Sequence, residues 1–485
     1  MRALVVVVCA ALGVACVARD AVTGGTPDGD GTAAGGTGGA TSAGGARATG
    51  SGGHAGSTGG AGAMLVDGGA VDGNHPPADL GPSLPPAPPA ALRMIFPISG
   101  ATTASKVTAR GTTDGQNVLQ VSVNGTPATS GDGFRTWSLQ VALAAGANEV
   151  RAVMERVDHT QVQASASIAV AASDTAIKRG KIPVVTYALT GGRVDSQGHA
   201  MYLADVNADG VLRIDVATGD YTWATCSEHS NTCGDGSSNG VPFSNPLDLA
   251  VDDARQRAYV VDGTNVFAVD LSGHGGPSER TMLSGPTVTD NTYQPPTYAG
   301  RGAGPTPQQL GSIAYDPAAD AIYAVDWGSG NNDPVGFFKI DPTTGDRTVF
   351  SPIGHGGVFR HADVDTGRGV LFTTAAYQSS LTTVKLSDGT RANGPSITEP
   401  SGLFVAPTLD AVLAWNKSGD IVAFEGSGLT ARTVTSASVA GDKGPAVKGG
   451  VGLSAATGLI FIYESNLSAL MAIDPTTGER VVVSR

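Results

Sequence analysis

Three groups of residues in this 485-residue chain combine types and spacings that chemistry uses. The run Asp205-Val206-Asn207-Ala208-Asp209-Gly210 sets oxygen ligands at alternate positions and ends in a turn glycine, as a calcium-binding loop does. Where such a loop places its bidentate Glu stands Val216, with Asp215 beside it, so a calcium site would rest on Asp205, Asn207, Asp209 and Asp215. The competing expectation is a plain hairpin, because Asp, Asn and Gly also close turns. His361 and Asp363, with His355 upstream, alternate toward one strand face and would serve either as ligands or as a mutual pair. Trp327, in Asp326-Trp327-Gly328-Ser329-Gly330-Asn331-Asn332-Asp333, stands among polar groups, where it would stack on a sugar or a partner unless it packs inside the fold.

Cysteine usage separates export chemistry from structure. Cys9 and Cys16 lie in or at the end of an apolar N-terminal run, which leaves Cys226 and Cys233 in TCSEHSNTCGDG. Seven residues apart in a polar loop, they read as a disulfide of an oxidising compartment, with a loop-closure stabilisation of about 2.5 kcal/mol at most. The other reading is a metal site with His229, but two thiols and one imidazole fall one ligand short of a structural zinc set.

Other chemistries are set aside. A diffuse net charge of −13 without basic clusters argues against nucleic acid or an anionic membrane face as partner. No P-loop, dinucleotide fingerprint, nucleophile elbow or His-Glu-x-x-His spacing emerges, and the Gly-rich stretches lack the strand and helix that such motifs require.

The N-terminus carries an address. Met1-Arg2 precedes a small-apolar run from Ala3 to Ala15, too short to span a bilayer, which needs about 20 residues, and right for a signal peptide over residues 1–16. Leu12-Gly13-Val14-Ala15-Cys16 resembles a bacterial lipobox, which implies lipidation at Cys16; cleavage after Ala15 or Ala18 by ordinary signal peptidase is the alternative. Either way the chain is extracytoplasmic, at the bacterial outer membrane or cell surface if lipidated and otherwise periplasmic or secreted. Residues 17–92 are rich in Gly, Thr, Ala and Pro, with almost no large apolar side chain but Met64, Leu65 and Val66, and read as a disordered tether. About 70 residues of such coil reach roughly 45 Å.

Two β-rich regions follow. Over residues 93–172 short alternating segments, such as Trp137, Leu139, Val141 and Leu143, are separated by turn signals that include Asn124-Gly125, the pattern of a small antiparallel sandwich. Over residues 180–485 a unit repeats six times: Val194, Val251, Tyr315, Val364, Val405 and Leu453 are followed eight residues later by Tyr202, Tyr259, Tyr323, Phe372, Leu413 and Phe461. Three places further stand Asp205, Asp262, Asp326, Ala375, Asn416 and Glu464, and a third strand follows, as in VLRID, VFAVD and FFKID. Each unit therefore predicts a four-stranded meander, and six meanders predict a ring of propeller blades. Small residues in the innermost strands, Gly191, Gly192, Ala250, Gly311, Gly402, Gly449 and Gly450, suit a crowded axis, and residues 182–187 are expected to add an edge strand to the sixth unit.

These patterns carry two resemblances. The VNG turn and LAAGANEVRAV segment resemble bacterial Ig-like domains of the glucodextranase-associated type, which implies a spacer or adhesion role without catalysis. The repeats, with elements such as Ile340-Asp341-Pro342-Thr343-Thr344-Gly345-Asp346-Arg347, resemble six-bladed propellers of the SMP-30/gluconolactonase, NHL and TolB-like group. That group spans lactonases, sensors and scaffolds, so the fold implied is all-β, an Ig-like sandwich followed by a six-bladed propeller, while function stays open. A lactonase centre would gather carboxylates and amides such as Asp248, Asp363, Asn245 and Glu399 round one ion. The expectation favoured is a non-enzymatic, lipid-anchored envelope protein that binds a protein or glycan at the propeller face; a metal-dependent hydrolase and a purely structural component are the alternatives. No cofactor is expected, calcium apart.

Overall fold

The computed structural model describes residues 91–177, 189–226, 243–272, 280–289, 297–327, 336–352, 359–375, 379–416, 418–436, 443–445, 447 and 450–485. All belong to one compact unit, Pro88–Arg485. Cys16, residues 17–90 of the tether, His229, Cys233, His355, Gly449 and residues 182–187 lie outside them, and the tether ends earlier than expected because Leu92 opens the first strand.

The described chain is all-β, with no α-helix. Its N-terminal part forms β1 (Leu92–Phe96), β2 (Gly100–Thr102), β3 (Lys106–Thr113), β4 (Val118–Val123), β5 (Thr126–Pro127), β6 (Thr136–Ala142), β7 (Gly146–Arg156) and β8 (Gln161–Val170). One sheet runs β1-β3-β6 and the other β2-β8-β7-β4-β5. Val107, Ala109, Trp137 and Val141 of the first share a core with Val121, Val123, Val150, Ala152, Met154 and Ile168 of the second. The expected hairpin forms at Asn124-Gly125, both residues at positive φ, the geometry whose twist matches paired strands.

Six four-stranded antiparallel meanders follow. Meander I comprises Leu189–Val194, Ala200–Asp205, Gly210–Asp215 and Tyr221–Thr225. Meander II comprises Pro246–Asp252, Arg257–Asp262, Asn265–Asp270 and Arg280–Ser284; meander III comprises Leu310–Asp316, Ala321–Asp326, Gly336–Ile340 and Arg347–Pro352. Meander IV comprises Phe359–Asp365, Val370–Ala375, Ser380–Lys385 and Arg391–Ser396; meander V comprises Pro400–Ala406, Ala411–Asn416, Ile421–Glu425 and Thr430–Thr435. Meander VI comprises Gly450–Ala456, Leu459–Glu464, Ala469–Ile473 and Arg480–Ser484. Second strands such as AMYLAD, AIYAVD and LIFIYE are buried along their whole length, which is why they read as continuous apolar runs rather than alternating ones. The first strand of each meander packs on the first strand of the next, and that of meander VI on that of meander I, as propeller blades do.

The constant eight-residue spacing conceals a change of register in meander VI. Tyr202, Tyr259, Tyr323, Phe372 and Leu413 face Arg193, Ala250, Ala314, Asp363 and Phe404, one residue before the expected anchors. Phe461 instead faces Ser454, one residue after Leu453. Thr457 and Gly458, both at positive φ, make a two-residue hairpin where meander II uses four residues between Asp252 and Arg257, and an irregularity between Val451 and Ser454 absorbs the difference.

The outer edge of meander VI is extended by the sandwich, while residues 182–187, expected to add an edge strand there, lie outside the described residues. β2 pairs with that edge, Ala101 opposite Val482, so a single nine-stranded sheet runs from Gly450–Ala456 through the sandwich to β5.

A polar latch joins neighbouring meanders. Ser284 Oγ at the end of meander II donates to Gly345 O of meander III at 2.6 Å and accepts from Arg347 Nη1 at 2.8 Å. Ser351 does the same to Gly389 and Arg391 of meander IV, and Thr435 to Gly478 and Arg480 of meander VI. Ser484 donates to Gly219 O of meander I, where Tyr221 stands in place of the arginine. The Thr-Gly-x-Arg signature is thus a contact between meanders.

Candidate functional site

The innermost strands have one edge that pairs with no strand of their own meander, so their N–H groups need other acceptors. Side chains of the preceding meander supply them. Asp248 Oδ2 of meander II accepts from the Ile313 N–H of meander III, and Ser312 Oγ from the Ala362 N–H of meander IV at 2.9 Å. Asp363 Oδ2 of meander IV accepts from the Val405 N–H of meander V at 2.8 Å, and Ser454 Oγ of meander VI from the Val194 N–H of meander I at 3.1 Å.

Arg193 joins these groups across the axis. Its Nη1 lies 3.8 Å from Asp248 Oδ1, its Nη2 donates to Ala362 O of meander IV, and its guanidinium stacks 5.5 Å from the Phe404 ring of meander V. Both Asp248 oxygens are engaged: Oδ1 takes the Leu249 N–H, and Oδ2 takes the Ser312 hydroxyl at 2.6 Å as well as the Ile313 N–H. Burial pushes the Asp363 carboxyl above the usual carboxylate range, opposed by the Arg193 charge and by the Val405 and Val364 N–H groups. Gly191 is a requirement of this crowding, since a Cβ there would lie 2.3 Å from Asp248 Oδ1.

Of the lactonase set, Asp248 and Asp363 meet at this cluster. Asn245 and Glu399 do not take part: the Asn245 N–H is bound to Asp262 Oδ1 and Glu399 is exposed beside the strand Pro400–Ala406. A guanidinium, not a ring of acids, sits between the carboxylates. His361 is half-buried two residues before Asp363, paired across the sheet with Thr374.

The Asp205 segment is a hairpin between two strands of meander I. Buried Asp205 accepts from the Asn207 and Ala208 N–H groups through Oδ1, and burial pushes its carboxyl up against those bonds. Asp209 takes positive φ, and Asp205 faces Gly210. Asp215 faces Ala200 at the opposite end of the hairpin, five residues or about 17 Å along the strand, where it caps Thr218. The structure therefore does not bring Asp215 to the other three. Asp205 belongs to a series whose other members hold strand ends: Asp262 binds the N–H groups of Ser244 and Asn245, and Asp326 those of Gln308 and Gln309.

Trp327 is half-buried against the core between meanders III and IV. A Cβ on Gly311 would fall 1.6 Å from its Cε2, so the glycine makes room for the indole, whose Nε1 is buried without a partner among the described residues. In meander V, Gly402 faces Trp415 across the sheet, but a Cβ there would lie 3.4 Å from its Cε3, an ordinary contact. The sequence missed Arg193 and Ser312; the signal that could have found Arg193 is a lone basic residue at a position that elsewhere reads Ala, Ala, Asp, Phe and Ser. Cys226 is buried at the end of meander I, and no group of three or more His, Cys, Asp or Glu able to hold a metal occurs among the described residues. A separate cleft of about 200 Å³ lies between meanders V and VI, floored by Leu409, Leu413 and Ala423 and spanned by the Glu425–Arg432 ion pair.

No family model and no curated protein matches the sequence. Among solved structures, a structural genomics protein of unknown function from Bacteroides thetaiotaomicron aligns over 82% of this chain and 99% of its own at 15% identity and a TM-score of 0.44. A nidogen/laminin complex chain aligns over 60% and 90% at 12% identity and a TM-score of 0.39. A provisionally assigned 6-phosphogluconolactonase from Bacteroides uniformis aligns over 69% and 92% at 13% identity and a TM-score of 0.38. Likeness at this level carries no inference about activity.

Proposed function

We propose that this chain is an exported, lipid-anchored, non-enzymatic binding or scaffold protein of the bacterial cell envelope: a six-bladed β-propeller, held on an Ig-like sandwich and a tether, that presents its face to a protein or glycan. The observation that supports a binding rather than a catalytic role is the use made of the axial polar groups. Both Asp248 oxygens, Ser312 Oγ and both Asp363 oxygens are engaged by N–H or O–H donors, and the cation beside them is Arg193. Groups so engaged are poorly placed to bind an ion or move a proton. Signal peptide, Cys16 lipidation and the Cys226–Cys233 bridge complete the reading from sequence.

The test has two arms. Palmitate labelling in a bacterial host should mark the wild-type chain, while Cys16→Ser loses the label and leaves the membrane fraction; no label on wild type sinks the anchor. Purified chain should turn over no lactone with or without added divalent metal, and turnover abolished by Asp363→Asn would replace this reading with the metal-dependent hydrolase.

A further inference from the structure

We infer that the N-terminal sandwich is the clasp of the ring: β2 serves as a fifth strand of meander VI, and the sandwich and the meanders fold as one body. The contact is built from backbone, charge and core together. At the backbone, β2 is sandwiched between β8 and Arg480–Ser484, and Thr102 Oγ1 donates to Arg480 O at 3.0 Å. Gly100 is required there, because a Cβ would fall 2.1 Å from Val481 Cγ1 and 2.6 Å from Val482 O.

Two buried acids of meander VI find their partners on β3. Asp474 accepts from Arg110 Nε at 2.8 Å, and Glu479 accepts from the Thr108 N–H at 2.6 Å and the Thr108 hydroxyl at 2.9 Å. Both belong to the Asp-Pro-Thr-Thr-Gly-Glu-Arg turn that latches meander VI to meander V through Arg480 and Thr435. The side that latches the ring is thus the side the sandwich grips. Arg110 also donates to Gly458 O of the short hairpin, and Arg485 donates to Asp174 O just beyond β8.

The core is continuous through the same place. Val107, Ala109 and Trp137 of the sandwich lie in one buried cluster with Phe461 and Val483 of meander VI and with Leu203 and Ile214 of meander I. Meanders VI and I are the two ends of the ring in sequence, and among the described residues no strand is exchanged between them. The sandwich core bears on both, so it reinforces the closure that the Ser484–Gly219 and Ser454–Val194 bonds make between them. Removing the Thr108 and Arg110 groups while the sandwich still covers Asp474 and Glu479 takes partners from buried charge, which is costly.

Hydrogen exchange on the full chain tests this. In Thr108→Val/Arg110→Met and in Gly100→Val, amides of residues 480–484 should exchange at least tenfold faster than in wild type. Amides of residues 347–351, in the matching strand Arg347–Pro352 of remote meander III, should be unchanged. Should Gly100→Val not fold, the single Thr108→Val, which removes only the hydroxyl bond, should still accelerate residues 480–484 about twofold. Unchanged exchange at 480–484, or equal acceleration in both strands, overturns the clasp. So does thermal unfolding in which Trp137 fluorescence, isolated by comparison with Trp137→Phe, reports a transition separate from that seen by circular dichroism.

Discussion

Arg193 of meander I and Asp248 of meander II face each other at the axis, Nη1 to Oδ1 3.8 Å apart, with both side chains buried. The pair is long for a salt bridge, and its carboxylate is held mainly by Ser312 and backbone N–H groups. Arg193 therefore acts as a central cation for Asp248 and Asp363 together.

Replacing it should be expensive. Arg193→Met leaves buried acid without its compensating charge and should destabilise the chain by about 3–5 kcal/mol, read by urea unfolding. A loss below about 1 kcal/mol would mean that the hydrogen bonds alone carry Asp248 and Asp363.

Asp363 makes a signed pH prediction. Its pKa is raised in the folded chain, so the native state binds the proton more tightly than the unfolded one. Its stabilising contribution is whole below the unfolded value, near 3.8, and is lost as pH rises through the folded value. Asp363→Asn, which keeps an acceptor but cannot ionise, should therefore gain melting temperature relative to wild type as pH rises from 3.5 to 7 (about one carboxylate titration). A difference between the two proteins that stays constant over this range would show that the carboxyl does not titrate there.

The latches predict an ordered series. Arg347 donates to Ser284 Oγ and also to the carbonyls of Arg301 and Pro305, so it holds both meander II and the segment that leads into meander III. Arg347→Ala should cost about 2–3 kcal/mol and Ser284→Ala about 1 kcal/mol, with the double variant less than additive. Additive losses would mean that the two side chains act independently.

Much of this architecture was legible in the chain because burial sets its pattern. Second strands covered on both faces write continuous apolar runs, and the periodic Asp at Asp262 and Asp326 binds the N–H groups that lead into the first strands, while Asp205 binds those of its own hairpin. The register of meander VI was not legible, because a shorter hairpin at Thr457-Gly458 and an irregularity before Ser454 leave the spacing unchanged while moving the partners. The axial cluster was half legible. Asp363 stood out as an acid beside a histidine, but Arg193 and Ser312 acquire meaning only when residues 50 to 169 positions apart meet. The same limit hid β2, which is three residues long and finds its partner in the last strand of the chain.

Trp327 offers the sharpest separation of packing from recognition. Its indole fills the space that Gly311 leaves open, with Nε1 buried. Gly311→Ala must push the ring outward or strain the strand, and should cost about 1–3 kcal/mol. If the ring packs between meanders III and IV, its fluorescence in this variant should shift to the red as it meets water, while a glycan or protein bound at the face is held as before. If the indole is instead a recognition surface, the variant should change affinity more than stability. Titration of one bound glycan or protein against wild type and Gly311→Ala, beside their unfolding curves, distinguishes the two: an affinity loss beyond tenfold with stability intact would assign Trp327 to binding.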